Sequence, residues 1–270
     1  MQAGQSEIDD YLAFAERLAD AARAETMPRF RAEAAIFNKS ASSFDPVTDA
    51  DREAERALRR LINDNFPDHG VIGEEFGAER LEAPWRWVLD PVDGTRAFIC
   101  GVASWATLIA LEKDGQSVLG VIDQPFTDER WIGAGGMTIH RKSGQERLCQ
   151  TSSARDLSEA RLSTTDPRAT GYFTPNEAAA FAKLAERARV SRFSLDAYAY
   201  GLLALGEIDL VVEASLKRHD FAALIPAIEG AGGVVTGWRG ESLYASERGR
   251  IVAAATPELH AAALDVLRDV

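Results

Sequence analysis

The stretch that decides the fold reads Trp87-Val88-Leu89-Asp90-Pro91-Val92-Asp93-Gly94-Thr95-Arg96-Ala97-Phe98. Its apolar start is typical of a buried strand, which ends at two aspartates, and a Gly-Thr pair then opens a helix-compatible segment. Paired carboxylates suit a hard divalent cation, because such ions prefer oxygen ligands. The first turn of a helix offers free N–H groups to a phosphate. The stretch therefore indicates metal-assisted phosphate chemistry.

Composition narrows the class of protein. The chain has 270 residues, of which 46% are hydrophobic, enough for one large core or two modest domains. Its formal net charge of −12 argues against binding nucleic acid or an anionic membrane, since both reward positive charge. A small anionic substrate stays compatible, because bound cations can invert the local field.

Cysteine usage and hydropathy predict the compartment. Cys100 and Cys149 show no zinc-binding spacing, so we expect two reduced thiols. Residues 1–20 are polar and acidic, without the apolar segment of a signal peptide. No run of the sequence approaches the ~20 apolar residues that cross a bilayer. We therefore expect a cytoplasmic protein that does not act at a membrane.

Hydrophobic periodicity predicts mixed structure in the first part of the chain. We expect a turn at Phe44-Asp45-Pro46, after which Thr48 caps the second of two helices. Those helices are predicted over 8–24 and 48–65, and strands over 71–75, 85–89, 105–112, 117–123, 129–134 and 137–141. The strands at 105–112 and 117–123 read as a hairpin.

A polar stretch over 141–159 predicts the crossing into a second domain, so we divide the chain into 1–148 and 149–270. In the second part strands are predicted at 161–164 and 208–212, and helices at 176–187, 198–205 and 221–230. Strands that alternate with helices imply α/β layering. The fold class is thus a mixture of α+β and α/β.

Acidic residues stand where the chain is predicted to leave a strand or enter a helix. They are Glu74, Asp90, Asp93 and Asp220. Strand-end carboxylates gather ligands from distant sequence into one cleft. Pro91 fixes the backbone between the two aspartates of the motif, and the carbonyl of Val92 is a further candidate ligand.

Each of these acids also has a purely structural interpretation. Asp93 before Gly94-Thr95 could cap a helix, as could Asp220 before its apolar helix. Asp90 could be a turn residue. Glu74-Glu75 could be a solvated pair, as most adjacent acids are.

Several distant blocks together resemble the inositol monophosphatase family. Residues 87–98 are similar to the family's W-x-x-D-P-x-D-G-T-x-x-F signature, and 72–75 to its Gly-Glu-Glu site. Residues 219–223 and 229–233 resemble W-D-x-A-A…E-A-G-G, and 47–51 resemble a fourth block. Order and spacing agree over nearly the whole chain.

The resemblance implies a metal-dependent phosphatase built as a layered αβαβα sandwich. It implies Mg²⁺, two or three ions per site, with the metal ligands Glu74, Asp90, Asp93, Asp220 and the Val92 carbonyl. Oxygen-only ligands and a phosphate substrate suit Mg²⁺ better than zinc. The implied partner is a small phosphomonoester. A homodimer follows by analogy alone.

The implied mechanism is attack of a metal-activated water on phosphorus. Thr95 would orient that water together with Asp51 and Glu74, and the amides of Gly94 and Thr95 would hold phosphate oxygens. Asp51 has an alternative role, since it stands at the capping-box position after Thr48.

Finer resemblances favour the histidinol-phosphatase branch, which would make the chain an enzyme of histidine biosynthesis. They lie in residues 95–99, 101, 105–109, 198–203, 209–213 and 223–226. His219 stands where inositol phosphatases usually carry a tryptophan. Two alternatives stay open: an inositol, sugar or nucleotide phosphatase on the same scaffold, and a catalytically weak binding or regulatory protein.

Histidinol phosphate carries an ammonium group and an imidazole, so its pocket should offer carboxylates beyond the metal ligands. Asp196 and Glu213 are the candidates, at positions where the family binds the alcohol moiety. Asp196 could instead cap a helix, and Glu213 could be a surface acid after a strand. Arg96 and Arg192 could meet phosphate or an acidic neighbour, or be solvated charges.

Overall fold

The computed structural model describes residues 5–32, 36–38, 46–268 and 270. The turn expected at Phe44-Asp45-Pro46 lies outside these residues, except that Pro46 begins a strand.

The first part of the chain forms two long helices and a series of strands. In order, these are α1 (Gln5–Thr26), β1 (Ile36–Asn38), β2 (Pro46–Thr48), α2 (Asp49–Asn65), β3 (Gly70–Gly73), β4 (Gly77–Glu79), β5 (Trp85–Asp93), α3 (Thr95–Ile99), β6 (Ala106–Lys113), β7 (Gln116–Gln124), β8 (Glu129–Ala134), β9 (Met137–Lys142) and β10 (Gln145–Leu148). The two predicted helices and the hairpin are confirmed. Thr48 caps α2 as expected, accepting a hydrogen bond from the Ala50 amide.

The second part alternates strands and helices. It contains β11 (Arg161–Thr164), α4 (Pro175–Arg187), β12 (Val190–Phe193), α5 (Tyr198–Ala204), β13 (Leu210–Glu213), α6 (Arg218–Phe221), α7 (Leu224–Glu229), β14 (Val234–Thr236), β15 (Ile251–Ala254) and α8 (Pro257–Leu267). The single helix predicted over 221–230 is wrong, because the chain forms α6 and α7 instead. Pro226 explains the break. A continuous helix would need a hydrogen bond from residue 226 to the Ala222 carbonyl, and proline has no N–H to donate. In the first turn of a new helix, where Pro226 lies, the backbone N–H groups have no partner within the helix, so proline is tolerated.

Two sheets carry the fold. The first has the strand order β10-β9-β8-β7-β6-β5-β3-β4 and is antiparallel except where β3 runs parallel to β5. The second has the order β12-β11-β13-β15-β14, with β11 parallel to both of its neighbours. Because β3 and β5 are parallel, their carboxyl ends lie at one edge.

The sheets and helices stack in five layers, which confirms the αβαβα sandwich. Apolar residues of α1 and α2 pack on one face of the first sheet, where Trp87 and Leu89 point. The opposite face, with Val88, packs with α5, α6, α7 and one face of the second sheet in a central cluster. Residues of α4 and α8 cover the outer face of the second sheet.

Candidate metal and phosphate site

Strand β5 delivers the first two carboxylates. Side chains alternate along a strand, so Asp90 shares the face of Val88, toward the central helices. It is 2% exposed, and its Oδ1 accepts a hydrogen bond from the Val92 amide over 3.1 Å. The register against β6 shifts between Asp90 and Asp93, which interrupts the alternation. Asp90 therefore belongs to the strand rather than to a turn.

Gly94 links the strand to helix α3 in a left-handed conformation, with φ of +80°. A Cβ atom there would lie 2.8 Å from Cγ of Asp196, so a side chain is excluded on two grounds. The capping role considered for Asp93 is wrong, because Gly94 is the cap residue. Instead, Oδ2 of Asp93 accepts a hydrogen bond from the Ala197 amide over 2.6 Å.

Glu74 and Asp220 reach the same place from other elements. Glu74 follows β3, and its amide donates to the Leu89 carbonyl of β5 over 3.2 Å. Asp220 lies inside α6 rather than before a helix, and its Oδ2 accepts from the Lys217 amide over 2.6 Å. Carboxylate oxygens of Asp90, Asp93 and Asp220 lie within 4.8 Å of one another.

A second group completes the cluster. One ligand atom each from Glu74, Asp90 and His219 also lie within 4.8 Å of one another. The structure thus brings the four predicted carboxylates together and adds an imidazole, whose Nε2 lies 3.3 Å from Oδ1 of Asp220. The predominance of oxygen donors fits Mg²⁺.

Burial and mutual repulsion make the cluster costly without a cation. Burial raises the pKa of Asp90 well above its usual range, and the charges of Glu74, Asp93 and Asp220 raise it further. Burial likewise raises the pKa of Asp93 and of Asp220. In the described part of the chain, neither Asp90 nor Asp93 forms an ion pair with a lysine or arginine. The residues present therefore fit a bound metal.

The two carboxylate oxygens of Asp51 have different partners: one contacts Thr95, and the other completes the capping box of α2. Its Oδ2 accepts hydrogen bonds from the Thr48 amide, over 2.8 Å, and from the Thr48 hydroxyl, over 2.6 Å. Its Oδ1 lies 3.4 Å from the hydroxyl of Thr95, which also lies 3.2 Å from the Val92 carbonyl. The capping box is confirmed, and it leaves one oxygen of Asp51 for Thr95.

These groups border a cavity of ≈ 370 Å³. Its lining includes Glu74, Asp90, Val92, Asp93, Gly94, Thr95, Asp196, Glu213 and Asp220. Asp51 does not line the cavity; it contacts the hydroxyl of Thr95, which does. The cavity therefore holds the predicted metal, phosphate and substrate residues in one place.

Glu213 ends β13 and is 6% exposed, so the surface interpretation is wrong. Its Oε1 accepts hydrogen bonds from the amide of Thr165, over 2.8 Å, and from the Thr165 hydroxyl. Its Oε2 accepts one from the Tyr200 hydroxyl over 2.7 Å. Burial raises the pKa of Glu213. These donors fix the carboxylate and leave Oε2 with further acceptor capacity.

Asp196 precedes α5 in a left-handed conformation, with φ of +49°. The capping interpretation is wrong, because Ala197 is the cap residue. Oδ2 of Asp196 accepts a hydrogen bond from the Ser104 hydroxyl over 2.9 Å. Burial raises the pKa of this carboxyl, which the Ser104 bond and the charge of Arg96 oppose.

Other residues of the cavity were not singled out from the sequence. They include Thr165, Tyr172, Tyr200 and Lys217. The parallel pairing of β11 with β13 brings Thr165 beside Glu213. This pairing joins residues that are distant in the chain, so the sequence pattern does not predict it. Arg96 is exposed, with its guanidinium carbon 5.2 Å from the ring centroid of Tyr172. Arg192 is exposed on β12 and does not line the cavity.

Both cysteines carry free thiols, Cys100 at the surface and Cys149 buried. Among the described helices, none has the length and apolar character needed to traverse a membrane.

A five-layer fold with clustered carboxylates beside a helix start defines a phosphomonoester hydrolase. The chain belongs to the inositol monophosphatase family, whose model matches residues 7–270. Enzymes of this family act on small phosphate esters and are generally Mg²⁺-dependent.

Named relatives span more than one activity. The chain is 40% identical to the chloroplastic bifunctional phosphatase IMPL2 of Arabidopsis thaliana, over 97% of this chain and 76% of that protein. It is 35% identical to the histidinol-phosphatase of Mycobacterium tuberculosis, over 84% of this chain and 87% of that protein. A solved inositol monophosphatase from Zymomonas mobilis is 42% identical, with a TM-score of 0.84, over 96% of this chain and 98% of the other.

Proposed function

We propose that the chain is a Mg²⁺-dependent histidinol-phosphate phosphatase. The observation that carries the substrate assignment is the presence of two further acids, the partly buried Asp196 and the buried Glu213, in the cavity that holds the carboxylate cluster. A substrate with an ammonium group would compensate their charge. Inositol phosphate brings only hydroxyl groups and a phosphate, and so adds no positive charge beside these acids.

The catalytic residues are proposed as follows. Glu74, Asp90, Asp93, Asp220 and the Val92 carbonyl would hold Mg²⁺. When bound, the metal supplies Lewis-acid activation of a water and neutralises phosphate charge. Thr95 would orient the attacking water, since its hydroxyl contacts the oxygens of Asp51 and Val92.

Phosphate recognition is assigned to the turn after β5. Gly94 and Thr95 open α3, so their amides lie at the start of that helix and would donate to phosphate oxygens. A cytoplasmic location, a homodimer and the division of the chain at residues 148 and 149 are further parts of the proposal.

A panel of phosphate esters tests the substrate. With saturating Mg²⁺, we expect kcat/KM for histidinol phosphate to exceed that for inositol 1-phosphate. An imidazole-bearing phosphate ester that lacks the ammonium group should be hydrolysed about 10- to 100-fold less efficiently than histidinol phosphate, the range for one charged hydrogen bond. Equal or reversed preference between histidinol phosphate and inositol 1-phosphate would reject the assignment.

Inositol 1-phosphate is the second candidate, because the solved inositol monophosphatase from Zymomonas mobilis covers nearly the whole fold. The same panel decides between the two. A regulatory protein without turnover is disfavoured, since all four cluster carboxylates are present and meet in the cavity.

A further inference from the structure

Glu55 is a fully buried acid of helix α2 that lies outside the cavity. Its Oε2 accepts a hydrogen bond from the Glu75 amide over 2.7 Å, and its Oε1 accepts one from the Phe76 amide over 3.2 Å. Both amides belong to the turn that leaves β3, immediately after Glu74. A side chain of α2 therefore anchors the backbone of the turn that carries a cluster carboxylate.

Arg59 compensates the buried negative charge of Glu55 and fixes the orientation of its carboxylate. Its Nε donates to Oε1 of Glu55 over 2.7 Å. Its Nη2 donates to the Gly77 carbonyl, and its Nη1 lies 2.8 Å from Oε1 of Glu79, so the guanidinium is itself fixed by β4. A buried acid with a charged partner and two amide donors is held in one orientation.

The other side of Glu74 is fixed as well. Its amide bonds to the Leu89 carbonyl, directly before Asp90 on β5. Gly73 leaves space for the anchor, since a Cβ atom there would lie 1.9 Å from Oε1 of Glu55. The backbone of Glu74 is thus held between β5 and the carboxylate of Glu55.

We propose that Glu55 is a positioning residue for the metal site, acting through the 74–76 turn to hold Glu74 where it binds the cation. This inference rests on the proposed role of Glu74 as a metal ligand. Supporting partners of ligands commonly change metal affinity about 10- to 100-fold when they are replaced.

The test is direct metal binding, measured by titration with Mn²⁺ and electron paramagnetic resonance. Glutamine at position 55 has nearly the same shape, but its amide group sets a donor against the N–H groups that Glu55 accepts from. We expect Glu55→Gln to weaken Mn²⁺ binding about 10- to 100-fold. Gly73→Ala should act in the same direction, because the added methyl group displaces the Glu55 carboxylate.

Glu53→Gln is the matched control, since Glu53 lies on the same helix and pairs with Arg56 at the surface. It should bind Mn²⁺ like the wild type. The thermal unfolding midpoint of each metal-free variant separates affinity from general destabilisation. If Glu55→Gln and Gly73→Ala lower that midpoint while Mn²⁺ affinity stays at the wild-type value, the positioning role is overturned.

Glu74→Gln separates the inference from its premise. If the wild type binds Mn²⁺ and Glu74→Gln binds it more weakly, the ligand role of Glu74 is supported. If Glu55→Gln and Gly73→Ala then bind Mn²⁺ as tightly as the wild type, only the inference about Glu55 is overturned. If the wild type binds no Mn²⁺, or Glu74→Gln binds as tightly as the wild type, both the ligand assignment and the inference fall.

Discussion

The backbone amide of Ala197 donates a hydrogen bond to Oδ2 of Asp93 over 2.6 Å. Asp93 ends a strand of the first sheet, and Ala197 caps α5, which follows the second sheet's β12. This contact joins the two parts of the chain at the cavity. It also orients the carboxylate, leaving Oδ1 of Asp93 for a cation.

Asp93→Asn should abolish turnover while the protein stays folded. The asparagine Oδ1 can still accept from the Ala197 amide, but the negative charge is lost. A metal ion supplies several kcal/mol of transition-state stabilisation, so we expect kcat to fall by about 10³-fold or more. Steady-state kinetics with circular dichroism check this. Near-normal activity would remove Asp93 from the metal site.

Substitutions can separate the role of Thr48 in capping α2 from the proposed role of Asp51 in catalysis. Thr48→Ala removes a capping hydroxyl and should lower the free energy of unfolding by about 1 kcal/mol, with most turnover kept. Asp51→Asn can keep its one remaining oxygen on the Thr48 amide and should lose less stability than Thr48→Ala. It should also reduce kcat by about 100-fold, because its amide presents a donor to Thr95 in place of an acceptor.

Denaturant unfolding and kinetics of both variants provide the comparison. If Thr48→Ala loses as much turnover as Asp51→Asn, then the capping contact alone explains the effect. In that case Asp51 has no separate catalytic part.

Glu213→Gln should change selectivity. We expect kcat/KM for histidinol phosphate to fall about 10- to 100-fold, since a charge-assisted bond to the ammonium group is lost. Hydrolysis of esters without an ammonium group should change little. Tyr200→Phe is the control, because it removes one hydrogen bond to Glu213 and keeps the charge. Uniform loss across the ester panel would contradict the assigned role.

The carboxyl group of Asp209 should account for part of the loss of folding stability at acidic pH. Burial alone would raise the pKa of this carboxyl, but hydrogen bonds from Arg161 and Ser152 outweigh burial and lower it. Since the folded pKa lies below the unfolded value of about 3.9, the stabilisation is present above that pH and is lost as pH falls through the folded pKa.

Asp209→Asn should therefore lower the free energy of unfolding at pH 7 by about 1–3 kcal/mol and flatten its decline toward pH 3. Asp265→Asn is a control, since Asp265 pairs with Arg268 at the surface, where such pairs contribute little. An unchanged pH dependence in Asp209→Asn would assign the acid sensitivity to other groups.

Local patterns made much of the fold predictable. The Lys113-Asp114-Gly115-Gln116 turn sets the β6–β7 hairpin, and Thr48 with Asp51 sets the start of α2. Of the carboxylates of the 87–98 motif, Asp93 lies where β5 ends, and Asp90 lies three residues earlier in the strand. Each of these signals depends on neighbours within a few residues.

The remainder depends on contacts between distant residues. Strand β12 (Val190–Phe193) is largely exposed at the edge of its sheet and carries no burial pattern, so its pairing with β11 defines it. Glu55 has the sequence context of a surface acid on a charged helix. Its burial follows from amides some twenty positions away, which periodicity does not reveal.

The central cluster draws on both sheets, with Val88 and Leu108 from the first and Val211 and Ala253 from the second. We therefore expect the proposed boundary at 148 and 149 to mark a change of sheet within one cooperative unit. We expect a single thermal transition for the whole chain. Fragments 1–148 and 149–270 should each be unstable alone, yet should complement one another when mixed, because each exposes the apolar face that the other covers.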